Sequence, residues 1–100
     1  MQELERLEKN NTLKCIWPYI LKIVSENPVH AYQLRKRIEQ RFGFRCGRVT
    51  AYHAIYRLTS RGFVTKKEDG RKIIYSVTPK GRRALKDAIA FYRQRIKLLK

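Results

Sequence analysis

Residues 47–79 read GRVTAYHAIYRLTSRGFVTKKEDGRKIIYSVTP, and the change of period inside this stretch decides the fold. From Arg48 to Arg61, Ala51, Ala54, Ile55 and Leu58 form a narrow apolar stripe at helical spacing. At 100° per residue Val49, Tyr52, His53 and Tyr56 lie on the other side. After Gly62 the helical period stops. Phe63 to Val77 flanks Glu68-Asp69-Gly70-Arg71, and Asp-Gly is a strong hairpin signal because a type I′ turn needs positive φ at both central residues. With Asp69-Gly70 at the corner, the expected register sets Val64 against Tyr75 and Lys66 against Ile73. Ile73, Tyr75 and Val77 then share the core face. Lys66, Lys67, Arg71 and Lys72 crowd the tip, where they repel one another unless phosphates lie beneath them.

Upstream, Leu13, Ile16, Trp17, Ile20, Leu21, Ile23 and Val24 predict a buried helix over 12–26 with Thr12 as its N-cap. Pro18 demands a bend there or a helix that starts near it. His30 to Phe42 reads as a second helix, with Leu34, Ile38 and Phe42 on one face and Gly43 as its stop. His30 is expected to cap or pack that helix; Tyr32 suits either a nucleic-acid backbone or the core. Three helices with short connections, the third half apolar and half polar-aromatic, suggest a helix-turn-helix.

Downstream, Thr78-Pro79 is a helix start, a hydroxyl N-cap followed by proline at the first helical position. Leu85, Ile89, Tyr92, Ile96 and Leu99 then step as a heptad seam, with Ala84, Ala88, Phe91 and Leu98 in a second stripe beside it. A helix of about 20 residues spans roughly 30 Å. A domain this small cannot cover both stripes, so the surplus predicts a partner, a second copy, with Trp17 joining the seam residues in the interface. The alternative is a helix folded wholly onto its own core.

The chain has 100 residues and a net charge of +16, from 24 basic and 8 acidic residues. Residues 1–34 are neutral, with Arg6, Lys9, Lys14 and Lys22 against Glu3, Glu5, Glu8 and Glu26, so residues 35–100 carry the whole excess. Such repulsion asks for an anionic partner: nucleic acid first, an acidic membrane surface second. Charge that merely keeps the chain soluble is the alternative. No long uncharged apolar run exists, so no membrane span is expected. Cys15 and Cys46 form neither a disulfide framework nor a CxxC metal motif, and fit a reducing, intracellular compartment; with nucleic acid as the partner, the expected location is cytoplasmic and nucleoid-associated.

In order, the elements give α-α-α-β-β-α, and the residues resemble the PadR-like family of winged helix-turn-helix regulators over about 12–85. Ile20-Leu21-Lys22-Ile23-Val24 with Pro28 and His30-Ala31-Tyr32-Gln33-Leu34 is similar to the family's apolar helix, proline and His-Gly-Tyr-x-Leu run. Thr50-Ala51-Tyr52 through Arg57-Leu58 resembles its Thr-x-Tyr recognition helix. Arg61-Gly62-Phe63-Val64 and Tyr75-Ser76-Val77-Thr78-Pro79-Lys80-Gly81 resemble its strand start and its Tyr-x-Leu-Thr-x-x-Gly link from wing to last helix. Two places depart. Ala31 stands for Gly, and Gly47-Arg48-Val49 stands for Ser-Pro-Gly at the helix end that enters the groove. With one last helix, the chain resembles the family's short subgroup.

The expectation is therefore a mostly α protein with a small β-hairpin: a charged helical extension over 1–11, a winged helix-turn-helix over 12–78 and a dimerisation helix over 79–100. The resemblance implies a homodimeric regulator, a repressor, that binds double-stranded DNA. The recognition helix, about 48–61, would enter the major groove and the wing, about 64–77, would lie on the backbone. Arg48, Thr50, Tyr52, His53, Tyr56 and Arg57 are the candidate contacts on the helix, Arg48 as a base reader. Lys66, Lys67, Arg71 and Lys72 are those on the wing. Lys80, Arg82 and Arg83 oppose the dipole of the last helix, which hints at an outside reason for them.

Low-specificity architectural DNA binding is the alternative, and a protein–protein module using the last helix a further one. No enzyme is expected: the carboxylates are isolated except at the hairpin turn, and no phosphate-cradling glycine loop, HExxH or nucleophile elbow exists. No cofactor is expected. A small aromatic effector in a cavity between subunits, lined by Trp17, Phe91 and Tyr92, would follow some family members, with plain dimer core as the simpler reading.

Overall fold

Pro18 sets where the first core helix begins. In the computed structural model, which describes residues 2–100, that helix is α2, Trp17–Glu26, with proline in its first turn, where no N–H is needed. Thr12 is not its cap. Its hydroxyl donates to the Glu8 carbonyl at 2.7 Å, closing an earlier helix, α1, Gln2–Asn10, that has no buried residue. Met1, the first residue of the expected extension, lies outside the described residues. The segment between α1 and α2 is tied down by Tyr19, whose hydroxyl donates to the Asn11 carbonyl at 2.6 Å. The Tyr19 ring meets Phe42 and Phe44 edge-on at centroid distances of 4.9 and 5.0 Å.

The expected second helix starts late. Val29–His30 is a short strand, β1, followed by a 3-10 turn over Ala31–Gln33 and then α3, Leu34–Phe42. His30 therefore caps nothing by its side chain; its ring sits 5.5 Å from that of Tyr32. A two-residue strand has no period to detect, and its partner is far away in sequence: Val29 pairs with Tyr75 and His30 with Ile74. Gly43 ends α3 in the left-handed conformation at φ 77°.

Helix α4 spans Arg48–Ser60, strands β2 and β3 span Val64–Asp69 and Lys72–Val77, and α5 spans Pro79–Leu99. The three-stranded antiparallel sheet has the order β1-β3-β2. The hairpin register differs from expectation. Val64 pairs with Val77, Lys66 with Tyr75 and Asp69 with Lys72, so the turn residues are Gly70-Arg71. Gly70 takes φ 64°, and among the described residues only glycines have positive φ. Asp69 therefore stays extended, and no turn with two left-handed residues forms at the tip. The shift is by two residues, an even number, so every side chain keeps its face. Ile73, Tyr75 and Val77 do face the core.

That core gathers around α2. Ile20, Leu21, Val24, Val29, Ile38 and Val64 are the largest fully buried side chains. Helices α3, α4 and α5 and strand β3 all pack on α2. Thr78 locks the hairpin to α5 from both sides. Its hydroxyl donates to the Gly62 carbonyl at 2.7 Å and accepts from the Gly81 amide at 3.0 Å. The molecule is mostly helical with a small antiparallel sheet, a winged helix-turn-helix.

Candidate nucleic-acid interface

Burial splits α4 along its length. Ala51, Ile55 and Leu58 are at most 5% exposed, while Val49, Tyr52 and Tyr56 are 67, 56 and 73% exposed. Arg48, Thr50, His53 and Arg57 are exposed too. The helix begins at Gly47, which has extended backbone and no side chain to cap the first amides, and the first turn holds no acid. Those amides and the positive end of the helix dipole are left for an outside acceptor. The start of α4 is held by Arg35 of α3, whose Nε donates to the Cys46 carbonyl at 3.1 Å. Cys46 is buried, and burial pushes its thiol pKa up, as for a small core residue rather than a reactive one.

The candidate contacts fall on two sides of α4. Thr50, His53, Tyr56 and Arg57 line an open groove of about 850 Å³ whose far wall is the segment from Leu13 to Trp17. Arg48 and Tyr52 line a smaller crevice of about 180 Å³ on the other side, with Tyr32, Arg35 and Tyr75. Lys66, Lys67, Arg71 and Lys72 stand exposed along the hairpin, in which β2 is buried only at Val64. Lys66 has the facing of a core residue, but the hairpin has passed the edge of the core at that point, so its chain meets solvent.

On α5 the expected seam divides. Leu85 packs against the chain's own core, and Tyr92 is half-buried. Ile89, Ile96 and Leu99 are 41, 55 and 87% exposed. Phe91, Leu98 and Trp17 are exposed as well. The expected aromatic cavity would lie between two copies of the chain. Trp17 lines the large groove, and Phe91 and Tyr92, 6.0 Å apart on α5, line neither space described above.

Three residues at these surfaces were outside the sequence-derived contact set. Val49 sits outward in the first turn of α4, where an apolar side chain suits a thymine methyl; the helical wheel already placed it there. Arg35 and Tyr75 reach the crevice from α3 and β3. They carry no local signal, because only the tertiary fold brings them to α4.

A helix with an exposed polar-aromatic face, seated in front of a basic hairpin, defines a winged-helix DNA-binding protein. The chain belongs to the PadR-like family of transcriptional regulators, whose family model matches residues 20–87. None of the curated proteins matches it in sequence. Its fold is shared by a transcriptional regulator from Clostridium thermocellum, with TM-score 0.78 and 20% identity over 84% of this chain and 88% of that one. It is shared also by F93 from STIV, a winged-helix DNA-binding protein, with TM-score 0.71 and 20% identity over 77% and 86%. Bacillus subtilis PadR in complex with operator DNA matches with TM-score 0.64 and 21% identity, over 74% of this chain and 46% of that one. Among the described residues no helix is long and apolar enough to cross a membrane.

Proposed function

We propose that this regulator binds a palindromic operator as a homodimer and represses transcription by occupying it. In this reading α4 enters the major groove, with Arg48 reading a base and Thr50, Tyr52, His53, Tyr56 and Arg57 contacting base edges or phosphates. The hairpin lies on the flanking backbone through Lys66, Lys67, Arg71 and Lys72, and the α5 seam joins two copies. Residues 12–78 then form the DNA-binding unit and 79–100 the dimerisation helix. The observation that carries the reading is the split of α4: its apolar stripe is buried while Arg48, Tyr52, His53 and Tyr56 face outward. That the B. subtilis protein was captured on operator DNA supports the same use of the fold here.

The net charge of +16 favours a second reading, an architectural protein that coats duplex with little preference. Selection of bound sites from random duplexes separates the two. The regulator yields a motif with two-fold symmetry and half-sites about one helical turn apart; the architectural protein yields a flat profile.

A further inference from the structure

The crevice of about 180 Å³ beside the start of α4 has an unusual lining. It is formed by Ala31, Tyr32, Leu34, Arg35, Arg48, Ala51, Tyr52, Ile55 and Tyr75. Two guanidinium groups and three phenols meet there, and no carboxylate does. Arg35 uses only Nε on the Cys46 carbonyl, which leaves its two Nη groups for another acceptor. Among the described residues Arg48 has no ion-pair partner. Tyr75 is 6% exposed as a whole, but its hydroxyl, which makes no hydrogen bond to another described residue, reaches solvent in the crevice: no buried side-chain oxygen lacks a partner among the described residues. Burial, and secondarily the nearby Tyr52, raises the Tyr75 pKa. The group is therefore a neutral O–H donor at physiological pH.

We propose that this crevice is an oxyanion site that takes one backbone phosphate of duplex DNA in each half-site, through the Arg35 guanidinium and the Tyr75 and Tyr32 hydroxyls. The assignment rests on the DNA-binding reading above and adds to it a phosphate contact made from α3 and β3, outside both the recognition helix and the wing tip. The volume equals about six waters at roughly 30 Å³ each, room for a phosphate group together with waters around it. The contact fixes the register of Arg48 by gripping the backbone next to it, which positions the protein without carrying sequence information itself.

Tyr75→Phe removes one oxygen that has no partner in the free protein, so its thermal stability should match that of the wild type. Its affinity for any duplex should fall about tenfold or more per half-site, because a hydrogen bond to a charged group is lost. Its salt slope should be unchanged, since no cation is removed. Arg35→Gln should lower the magnitude of that slope by about 0.9 per half-site. A methylphosphonate scan of the duplex closes the test. At one phosphate per half-site the neutral substitution should weaken wild-type binding and weaken Tyr75→Phe by clearly less, because only the Arg35 contact remains to be lost, whereas at other positions the two effects should add. Wild-type duplex binding with undiminished affinity for Tyr75→Phe overturns the site and leaves the DNA-binding reading intact. Absence of duplex binding by the wild type overturns both. Inorganic phosphate that binds the free chain below about 1 mM, with duplex affinity of Tyr75→Phe unchanged, makes the crevice a free-ion site and overturns the assignment to DNA.

Discussion

Gly81, in the first turn of α5, lies directly against the carbonyl oxygen of Phe63, with no room for a Cβ between them. The same carbonyl accepts the Thr78 amide at 3.2 Å, so it cannot swing away without breaking the link from hairpin to helix. Gly81→Ala should therefore destabilise the fold by about 1–3 kcal/mol, the usual cost of overpacking. Urea denaturation checks it. A midpoint equal to that of the wild type would mean that the backbones separate at no cost.

Thr78 makes two hydrogen bonds at that junction, one to Gly62 in the loop that leads into β2 and one to Gly81 of α5. Thr78→Ala should cost about 1–2 kcal/mol, and Thr78→Ser, which keeps the hydroxyl, should recover most of it. Equal losses in both variants would assign the effect to the methyl group instead.

Stability should also fall in alkali. Burial raises the pKa of Tyr19, Tyr75 and Tyr92 above the ordinary 10.0. The folded state thus holds these protons longer than the unfolded state. Their contribution is intact below pH 10.0 and is lost as pH rises through the raised values. Denaturation midpoints measured from pH 8 upward should be flat and then decline above about pH 10. A rise in that range would contradict the burial of the three phenols.

Ile89 and Ile96 lie exposed on the outer part of α5. Replacing both with Lys places like charges across the proposed interface. The pair should sediment as a monomer with wild-type helicity, and lose at least about a hundredfold in operator affinity because the half-sites are no longer linked. A dimer that survives both changes would mean that the seam is not where two copies meet.

The order of the main elements and both faces of α4 were legible in the sequence, because period 3.6 and period 2 are local signals. The failures were also local in origin. Asp69-Gly70 has the composition of one turn, yet strand pairing sets Gly70-Arg71 at the corner, a choice that depends on how Val64 meets Val77. His30 reads as the start of a helix until β3 recruits it as a third strand. The crevice was invisible for the same reason. Tyr32, Arg35, Arg48 and Tyr75 come from elements that touch only in the fold, so no spacing along the chain announces them.

The central claim is a division of labour, with α4 reading sequence and the hairpin gripping backbone. Paired salt titrations on a selected operator and a scrambled duplex test it most directly, with Arg48→Ala and Lys67→Ala as the variants. Lys67→Ala should weaken both duplexes alike and reduce the slope by up to about 1.8 in a dimer, two phosphate contacts at about 0.9 each. Arg48→Ala should cost about 1–3 kcal/mol per half-site on the operator and far less on the scrambled duplex, so the specificity ratio collapses. If Lys67→Ala harms the operator selectively while Arg48→Ala weakens both duplexes equally, the hairpin reads and the helix merely holds, and the account is wrong.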